Sequence, residues 1–224
     1  MLNHPDKKLW DNLKTNDRDR LFSDITDDLI DRLNEETREV VDDDIFIFKN
    51  IIDPESLRCF DSIDYDDYQV PVLRNNAKMN LKMKCWGNEW NPKNNKYLDE
   101  KDNYSPRIPP FLERIAEYAI MATFPYHKPE VDVCIGNIYE PGGSVGLHQD
   151  SAESHKAREC GHPIVSISIG RDADFTYGPY RKVNLKTVTL SHGDILVFGG
   201  NARNYYHGVK NIKGLRYNFT LRKI

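Results

Sequence analysis

Three side chains of the sequence could hold one metal ion between them. His148-Gln-Asp150 reads as the end of a β-strand. Alternation along a strand sends His148 and Asp150 to one side and Gln149 to the other. An imidazole and a carboxylate so placed supply two cis ligands. His207, in Asn204-Tyr-Tyr-His-Gly 59 residues later, would complete a 2-His-1-carboxylate face if its strand runs beside the first. Such a face leaves coordination positions open, as oxygen-activating Fe(II) requires. A His-x-Asp pair alone is weak, because a chain with seven histidines meets one readily by chance. His192 competes for the third place, but His192-Gly-Asp reads as a turn, where hydrogen bonding is the more natural role. His155 and His162 fall in a polar loop and read as surface residues.

The last strand adds a second kind of chemistry. In Arg216-Tyr-Asn-Phe-Thr-Leu-Arg222, Arg216, Asn218, Thr220 and Arg222 share one face, and Tyr217, Phe219 and Leu221 share the other. Inward arginines are costly unless anions meet them. Guanidinium forks take carboxylates in a bidentate manner, so two of them suit a dicarboxylate. An edge strand with its arginines in water would explain the same pattern. That reading leaves unexplained why Asn137 and Tyr139 repeat the polar parity just before the His-x-Asp strand.

These groups need a β scaffold, and the C-terminal part of the chain supplies one. Eight short strands are expected, at 131–139, 145–149, 164–169, 174–177, 186–190, 195–198, 205–209 and 215–222, divided by Pro-Gly-Gly, His-Gly-Asp and Gly-Gly-Asn turns. Strands this short and dense predict a jelly roll rather than a parallel α/β sheet. Upstream, Ile45-Phe-Ile-Phe reads as a buried strand. Asp53-Pro starts a helix with Asp53 as its cap. A second amphipathic helix runs to Phe124, with Phe111, Ile115, Tyr118, Ala119 and Ala122 on its face. Met79 to Lys84 alternates like a solvent-facing strand. Residues 1–44 read as an acidic helical extension in which Ile25, Leu29 and Leu33 share a face.

Length and charge bound the function. The 224 residues suit one globular domain with a real core, and no apolar run reaches the length of a bilayer span or a signal peptide. Four scattered cysteines without a CxxC pair read as thiols in a reducing compartment. The expectation is an intracellular protein, cytoplasmic or nuclear, with no membrane partner. Net charge is −4, but residues 1–72 carry −11 and the remainder +7. Residues 73–98 alone carry +5 around Trp86, Trp90 and Tyr97, a pattern that can track phosphates and stack on bases. A solvated basic surface over core tryptophans explains the composition equally well. The acidic N-terminal segment could meet a basic protein partner.

Taken together, Asn137-Ile-Tyr139-Glu-Pro-Gly-Gly, Leu147-His148-Gln-Asp150, Pro163 to Gly170, Ser191-His-Gly-Asp-Ile, Tyr206-His207-Gly208 and Arg216 to Arg222 resemble the AlkB-like branch of the Fe(II)- and 2-oxoglutarate-dependent dioxygenases. The likeness is dense over 131–224 and looser over 45–130. It implies an α+β, mainly β fold: a double-stranded β-helix (jelly roll) with flanking helices. Its dioxygenase domain would span 45–224, with a nucleotide-recognition lid at 64–107 and the jelly-roll core at 131–224. His148, Asp150 and His207 would be the iron ligands. Asn137, Tyr139, Arg216, Asn218 and Arg222 would form the 2-oxoglutarate pocket, with Arg216 and the Tyr139 hydroxyl on the distal carboxylate. Trp90 and Tyr97 would be lid aromatics. Lys82, Lys84, Lys93 and Lys96 would grip the nucleic-acid strand, with Arg181 and Lys182 adding phosphate contacts.

The implied reaction uses Fe(II), 2-oxoglutarate and O2 to hydroxylate an N-methyl group on a DNA or RNA base, with release of formaldehyde, succinate and CO2. The partner is single-stranded or base-flipped alkylated nucleic acid. One position departs from the repair members: Ala152 stands where they carry an acid, with Glu153 beside it. Either Glu153 takes that place or the substrate differs. Two other readings compete: the same chemistry on a protein or small molecule, and a non-catalytic jelly-roll binding module.

Overall fold

The structure, a computed structural model, describes residues 23–224 except 25, 34–37, 61–62, 64, 66 and 99–103. Two antiparallel sheets form its centre. The larger runs, in spatial order, β1 (Glu39–Asp42), β2 (Ile45–Phe48), β11 (Ile195–Phe198), β8 (Ile164–Gly170), β13 (Arg216–Arg222), β6 (Val133–Tyr139) and β3 (Lys82–Trp86). The smaller runs β10 (Lys186–Leu190), β9 (Ala173–Gly178), β12 (Tyr206–Lys210) and β7 (Val145–His148). Strands distant in sequence lie side by side in both, the arrangement of a double-stranded β-helix. The expected C-terminal strands are all present, with ends shifted by no more than two residues. A two-stranded hairpin, β4 (Trp90–Asn91) with β5 (Lys96–Tyr97), stands apart.

Parity along β13 divides the molecule into layers. Tyr217, Phe219 and Leu221 join Val165, Ile167 and Ile169 of β8 in a core closed by α3 (Pro110–Thr123) and by α1 (residues 26–33). Burying each such side chain contributes roughly 1.5–3 kcal/mol. α3 forms because Pro109-Pro110 sets the entry angle of its first turn and Phe111, Ile115 and Ala119 fall on one face. The other face of β13 looks between the sheets. There Ile45, Ile47, Leu196 and Phe198 of the large sheet meet Phe175, Tyr177 and Leu190 of the small one. Where that apolar packing ends, the polar residues of β13 line a cavity.

The N-terminal expectations need correction. Leu29 and Leu33 are buried in the main core, Asp27 pairs with Arg114 of α3 at 2.7 Å, and β1 extends the large sheet. The described part of 1–44 therefore packs against the core, and β1 continues the sheet on the near side of residue 45. Residues 1–22 and Ile25, with any partner of the acidic segment, lie outside the described residues. Asp53 caps as expected, taking the Ser56 N–H at 2.8 Å, but the helix it opens is only α2 (Leu57–Phe60). His162 is buried, its Nε2 donating to the Lys128 carbonyl at 3.1 Å, while His155 is exposed. No helix among the described residues is long and apolar enough to cross a membrane.

The segment 64–107 is less uniform than a lid. β3 within it pairs along β6, and Trp86 is packed in the core against Tyr68. The alternating run lies on the sheet edge with its apolar residues inward. Gly136 of β6 lets this wall close, since a Cβ there would sit 2.4 Å from the Tyr68 hydroxyl and 2.7 Å from the Trp86 ring. Gly136→Ala should cost about 1–3 kcal/mol. In a chain of this size that is a fall of roughly 2–12 °C in Tm, read by thermal unfolding.

Candidate active site

The metal-ligating set assembles where the two strands of the small sheet pair. His207 of β12 is the direct cross-strand partner of His148 at the end of β7, and the ring centroids are 4.5 Å apart. Asp150, two residues beyond His148, brings Oδ1 to 3.5 Å from the His148 Nε2 and Oδ2 to 3.6 Å from the His207 Nε2. One donor atom from each of the three lies within 4.8 Å of the others. Cis ligands around an ion bound at about 2.1 Å stand about 3 Å apart, so the set needs only slight closing.

Tautomers are fixed by the backbone. The His148 Nδ1 lies 2.9 Å from the Gly146 carbonyl, and the His207 Nδ1 lies 3.1 Å from the Tyr205 carbonyl. A carbonyl only accepts, so each Nδ1 donates to it, and Nε2 is the nitrogen that each ring turns toward Asp150. Burial lowers the His207 imidazole to about 4, which keeps it neutral and able to donate a lone pair. Burial would raise the Asp150 carboxyl, but the Arg222 guanidinium 2.8 Å away outweighs it and holds it well below the usual carboxylate range. Asp150 is thus ionised at neutral pH.

These residues open into a cavity of about 580 Å³ between the sheets, lined also by Asn137, Tyr139, Arg216, Asn218, Thr220 and Arg222. Arg216 is the informative one. It is 1% exposed, and its guanidinium donates to the Arg171 carbonyl at 2.8 Å, the Leu190 carbonyl at 3.1 Å and the Ser168 hydroxyl at 2.7 Å. No carboxylate among the described residues pairs with it, its Nε has no partner, and burial lowers its pKa. An unpaired cation this deep needs an anion. Tyr139, pushed up to about 12 by burial, presents a neutral phenol in the same cavity. Asn218 is anchored to the Ser166 hydroxyl and the Ile167 carbonyl. Arg222 differs from Arg216: it bridges Asp150 at 2.8 Å and Glu153 at 3.0 Å.

The expected substrate contacts divide. Trp90 lines the cavity and donates its indole N–H to Asn95 at 3.1 Å, and Asn95 donates to Ser151 at 3.0 Å. Tyr97 donates its hydroxyl to Glu153 at 3.1 Å. The hairpin carrying both aromatics is therefore bonded to the residues just after Asp150. Arg181 lines the mouth, and Lys93, Lys96 and Lys182 are exposed. Lys82 and Lys84 are misplaced by the expectation. The cavity is lined by Met79, Leu81 and Met83, so the lysines occupy the opposite face of β3. Lys82 pairs with Glu140 at 3.2 Å, and Lys84 with Asp67 at 3.5 Å. Glu153 lines the cavity, but its carboxylate is engaged by Arg222, Tyr97 and, at 3.5 Å, Arg203.

Other residues escaped the sequence reading. Ser166 and Ser168 hold Asn218 and Arg216, and they stood out as hydroxyls at one parity in an otherwise apolar strand. Arg203, fully buried beside Glu153, carried no such signal, because the short 3-10 turn Gly200–Asn204 has no periodicity to read. His192 accepts from the Gly170 N–H at 3.0 Å, the hydrogen-bonding role expected of it.

Comparison with known proteins agrees with this geometry. The family profile of the 2OG-Fe(II) oxygenase superfamily matches residues 45–222. The DNA N(6)-methyladenine demethylase ALKBH1C of Arabidopsis thaliana is 36% identical over 166 residues, covering 65% of this chain and 36% of that protein. The alpha-ketoglutarate-dependent dioxygenase AlkB of Escherichia coli K12 is 35% identical over 128 residues, covering 53% of this chain and 56% of that one. The alignments thus span little more than half, or less, of these relatives' own lengths. The solved structure of OsALKBH1 superposes with a TM-score of 0.74 at 28% identity, over 84% of this chain and 100% of that one. The family's Fe(II) and its cosubstrates 2-oxoglutarate and O2 fit the residues present: two Nε2 atoms and one carboxylate for the ion, and an unpaired buried guanidinium for a dicarboxylate. The chain belongs to the 2OG-Fe(II) oxygenase superfamily, in its AlkB-like branch.

Proposed function

We propose that this protein is an Fe(II)- and 2-oxoglutarate-dependent dioxygenase that oxidatively demethylates N-methylated bases of DNA, and of RNA where the base is accessible. The observation that carries the reading is one cavity in which His148, Asp150 and His207 converge a short way from the unpaired Arg216, with Trp90 and Arg181 at the mouth. Bound iron with 2-oxoglutarate and O2 supplies the oxidising power for hydroxylating an N-methyl group, whose carbon leaves as formaldehyde, with succinate and CO2 as the other products. His148, Asp150 and His207 hold the ion from one side. Arg216, with the Tyr139 hydroxyl, takes the far carboxylate and so fixes which end of the keto acid reaches the metal. The apolar wall of Met79, Leu81 and Met83 excludes water around the base. Trp90 offers it a stacking surface. A methyl group inside a duplex cannot reach this depth, so the base enters flipped or from a single strand.

The test is mass spectrometry of a panel of N-methylated DNA and RNA oligonucleotides incubated with the protein, iron, ascorbate and 2-oxoglutarate. Loss of one methyl group with matching formaldehyde is the expected result. Consumption of 2-oxoglutarate with every oligonucleotide intact would move the substrate to a protein or small molecule. Trp90→Ala should cut oligonucleotide turnover roughly 10–100-fold, since a base–aromatic stack is worth about 1–3 kcal/mol. Uncoupled 2-oxoglutarate turnover should survive in that variant, because no hydrogen bond or ring contact joins Trp90 to the three metal-binding side chains or Arg216.

A further inference from the structure

The hairpin that carries Trp90 is held to the metal-binding segment by two side-chain rungs. The Asn95 Nδ2 donates to the Ser151 hydroxyl at 3.0 Å, and the Tyr97 hydroxyl donates to Glu153 at 3.1 Å. Alternate residues on the returning arm of the hairpin thus meet alternate residues just after Asp150. Asn95 does more than tie the two. Its Oδ1 accepts the Trp90 indole N–H at 3.1 Å. An indole N–H can only donate, so the amide is turned with its oxygen to Trp90 and its nitrogen to Ser151. One amide therefore joins the edge of the aromatic ring to the residue next to the metal-facing carboxylate. The turn itself does not require this. Asn91 and Asn94 serve the turn, their side-chain oxygens taking the N–H groups of Lys93 and Lys96, each two residues on, at 2.9 and 3.1 Å. The Asn95 N–H bonds the Asn91 carbonyl at 2.9 Å, and its φ of 55° is one that glycine adopts freely. Glycine would satisfy that backbone and leave Trp90 and Ser151 unjoined. The rest of the Trp90 ring packs beside Cys85, Val133 and Ile135, an apolar contact that is not directional and does not fix how the ring is turned.

Resting on the nucleic-acid demethylase reading above, we infer that Asn95 is a positioning residue for the base. It sets the plane of Trp90 relative to the segment of Asp150 and Ser151, so that a base stacked on the ring arrives with its methyl group at the metal site. Without the amide the ring takes other orientations, and only a fraction of molecules presents the surface a base can use. Apparent affinity for the oligonucleotide falls by that fraction, while a base already stacked reacts as before.

Asn95→Gly keeps the backbone conformation and removes both bonds. With a methylated single-stranded oligonucleotide, KM should rise about 3–10-fold, the effect of losing hydrogen bonds at an accessible site, and kcat should stay nearly the same. A variant that merely folded less well would lower kcat and leave KM in place. Ser151→Ala, which removes one of the two bonds, should raise KM by less and should add nothing to Asn95→Gly. In isotope-labelled protein, the Trp90 indole N–H resonance, identified by its absence from Trp90→Phe, should shift and exchange faster with water in Asn95→Gly. In a Trp90→Ala background, Asn95→Gly should cost nothing more. An unchanged KM in Asn95→Gly overturns the inference whether or not the resonance moves. An equal further loss in the Trp90→Ala background also overturns it, because Asn95 would then act on the substrate itself. Turnover of no oligonucleotide by the wild type, with 2-oxoglutarate still consumed, defeats the demethylase reading first and this inference with it.

Discussion

Asp150→Asn leaves the protein folded and removes its Fe(II)-dependent consumption of 2-oxoglutarate. The substitution keeps shape and replaces a charged metal-facing oxygen by an amide. The carboxylate stands 3.5 and 3.6 Å from the Nε2 atoms of two imidazoles whose Nδ1 atoms donate to backbone carbonyls, and it is the one anionic donor of the set. Losing it removes several kcal/mol of metal-centred stabilisation, and the expected drop in succinate formation is about 10³-fold or more. Mn(II) binding, followed by electron paramagnetic resonance, should weaken in parallel. The fold should tolerate the change, because Arg222 keeps Glu153 at 3.0 Å and is not left as a lone buried charge. Chelation followed by Fe(II) addition should restore activity in the wild type and not in the variant. Undiminished succinate formation by Asp150→Asn would mean that the three side chains do not act as the metal site.

How much of this site could be read from the sequence depended on the kind of order that carried each residue. Strand parity is local and strict, so the shared face of Arg216, Asn218, Thr220 and Arg222, and of His148 and Asp150, followed from period two alone. The pairing of His207 with His148 is a contact across 59 residues, and spacing only made it possible; the antiparallel register of β7 and β12 realises it. Parity was also available for Lys82 and Lys84. Their alternation with Leu81 and Met83 already placed the basic and apolar residues on opposite faces, and counting positive charge along the segment hid that division. The role of Glu153 was beyond reach. It depends on Arg203 and Arg222, 50 and 69 residues away, arriving on both sides of one carboxylate from separate elements. The packing of the segment before residue 45 was out of reach for a related reason. Charge set the acidic segment apart, but Leu29 and Leu33 join a core assembled from α3 and the large sheet, and burial does not follow composition.

Arg216→Lys gives the second large effect, on affinity for the keto acid rather than on the metal. Lysine preserves the charge but loses the planar fork. The native guanidinium is held by the Arg171 and Leu190 carbonyls and the Ser168 hydroxyl, which fix its plane and leave Nε without a partner. That arrangement is prepared for an anion that the protein itself does not supply. Replacing a buried bidentate pair by a point charge should cost about 2–3 kcal/mol, raising KM for 2-oxoglutarate roughly 30–200-fold. The effect on kcat at saturation should be smaller, because no hydrogen bond or ion pair joins His148, Asp150 or His207 to Arg216. A stability measurement separates binding from folding. In the wild type, 2-oxoglutarate with Mn(II) at about 100 times Kd should stabilise the fold by about 2.7 kcal/mol. In a chain of this length that is a rise in Tm of roughly 5–11 °C. Arg216→Lys should lose most of that rise at the same concentration while still binding Mn(II). An unchanged KM and an unchanged ligand-induced rise would place the cosubstrate's far carboxylate elsewhere, and would leave the cation buried at position 216 with no anion to justify it.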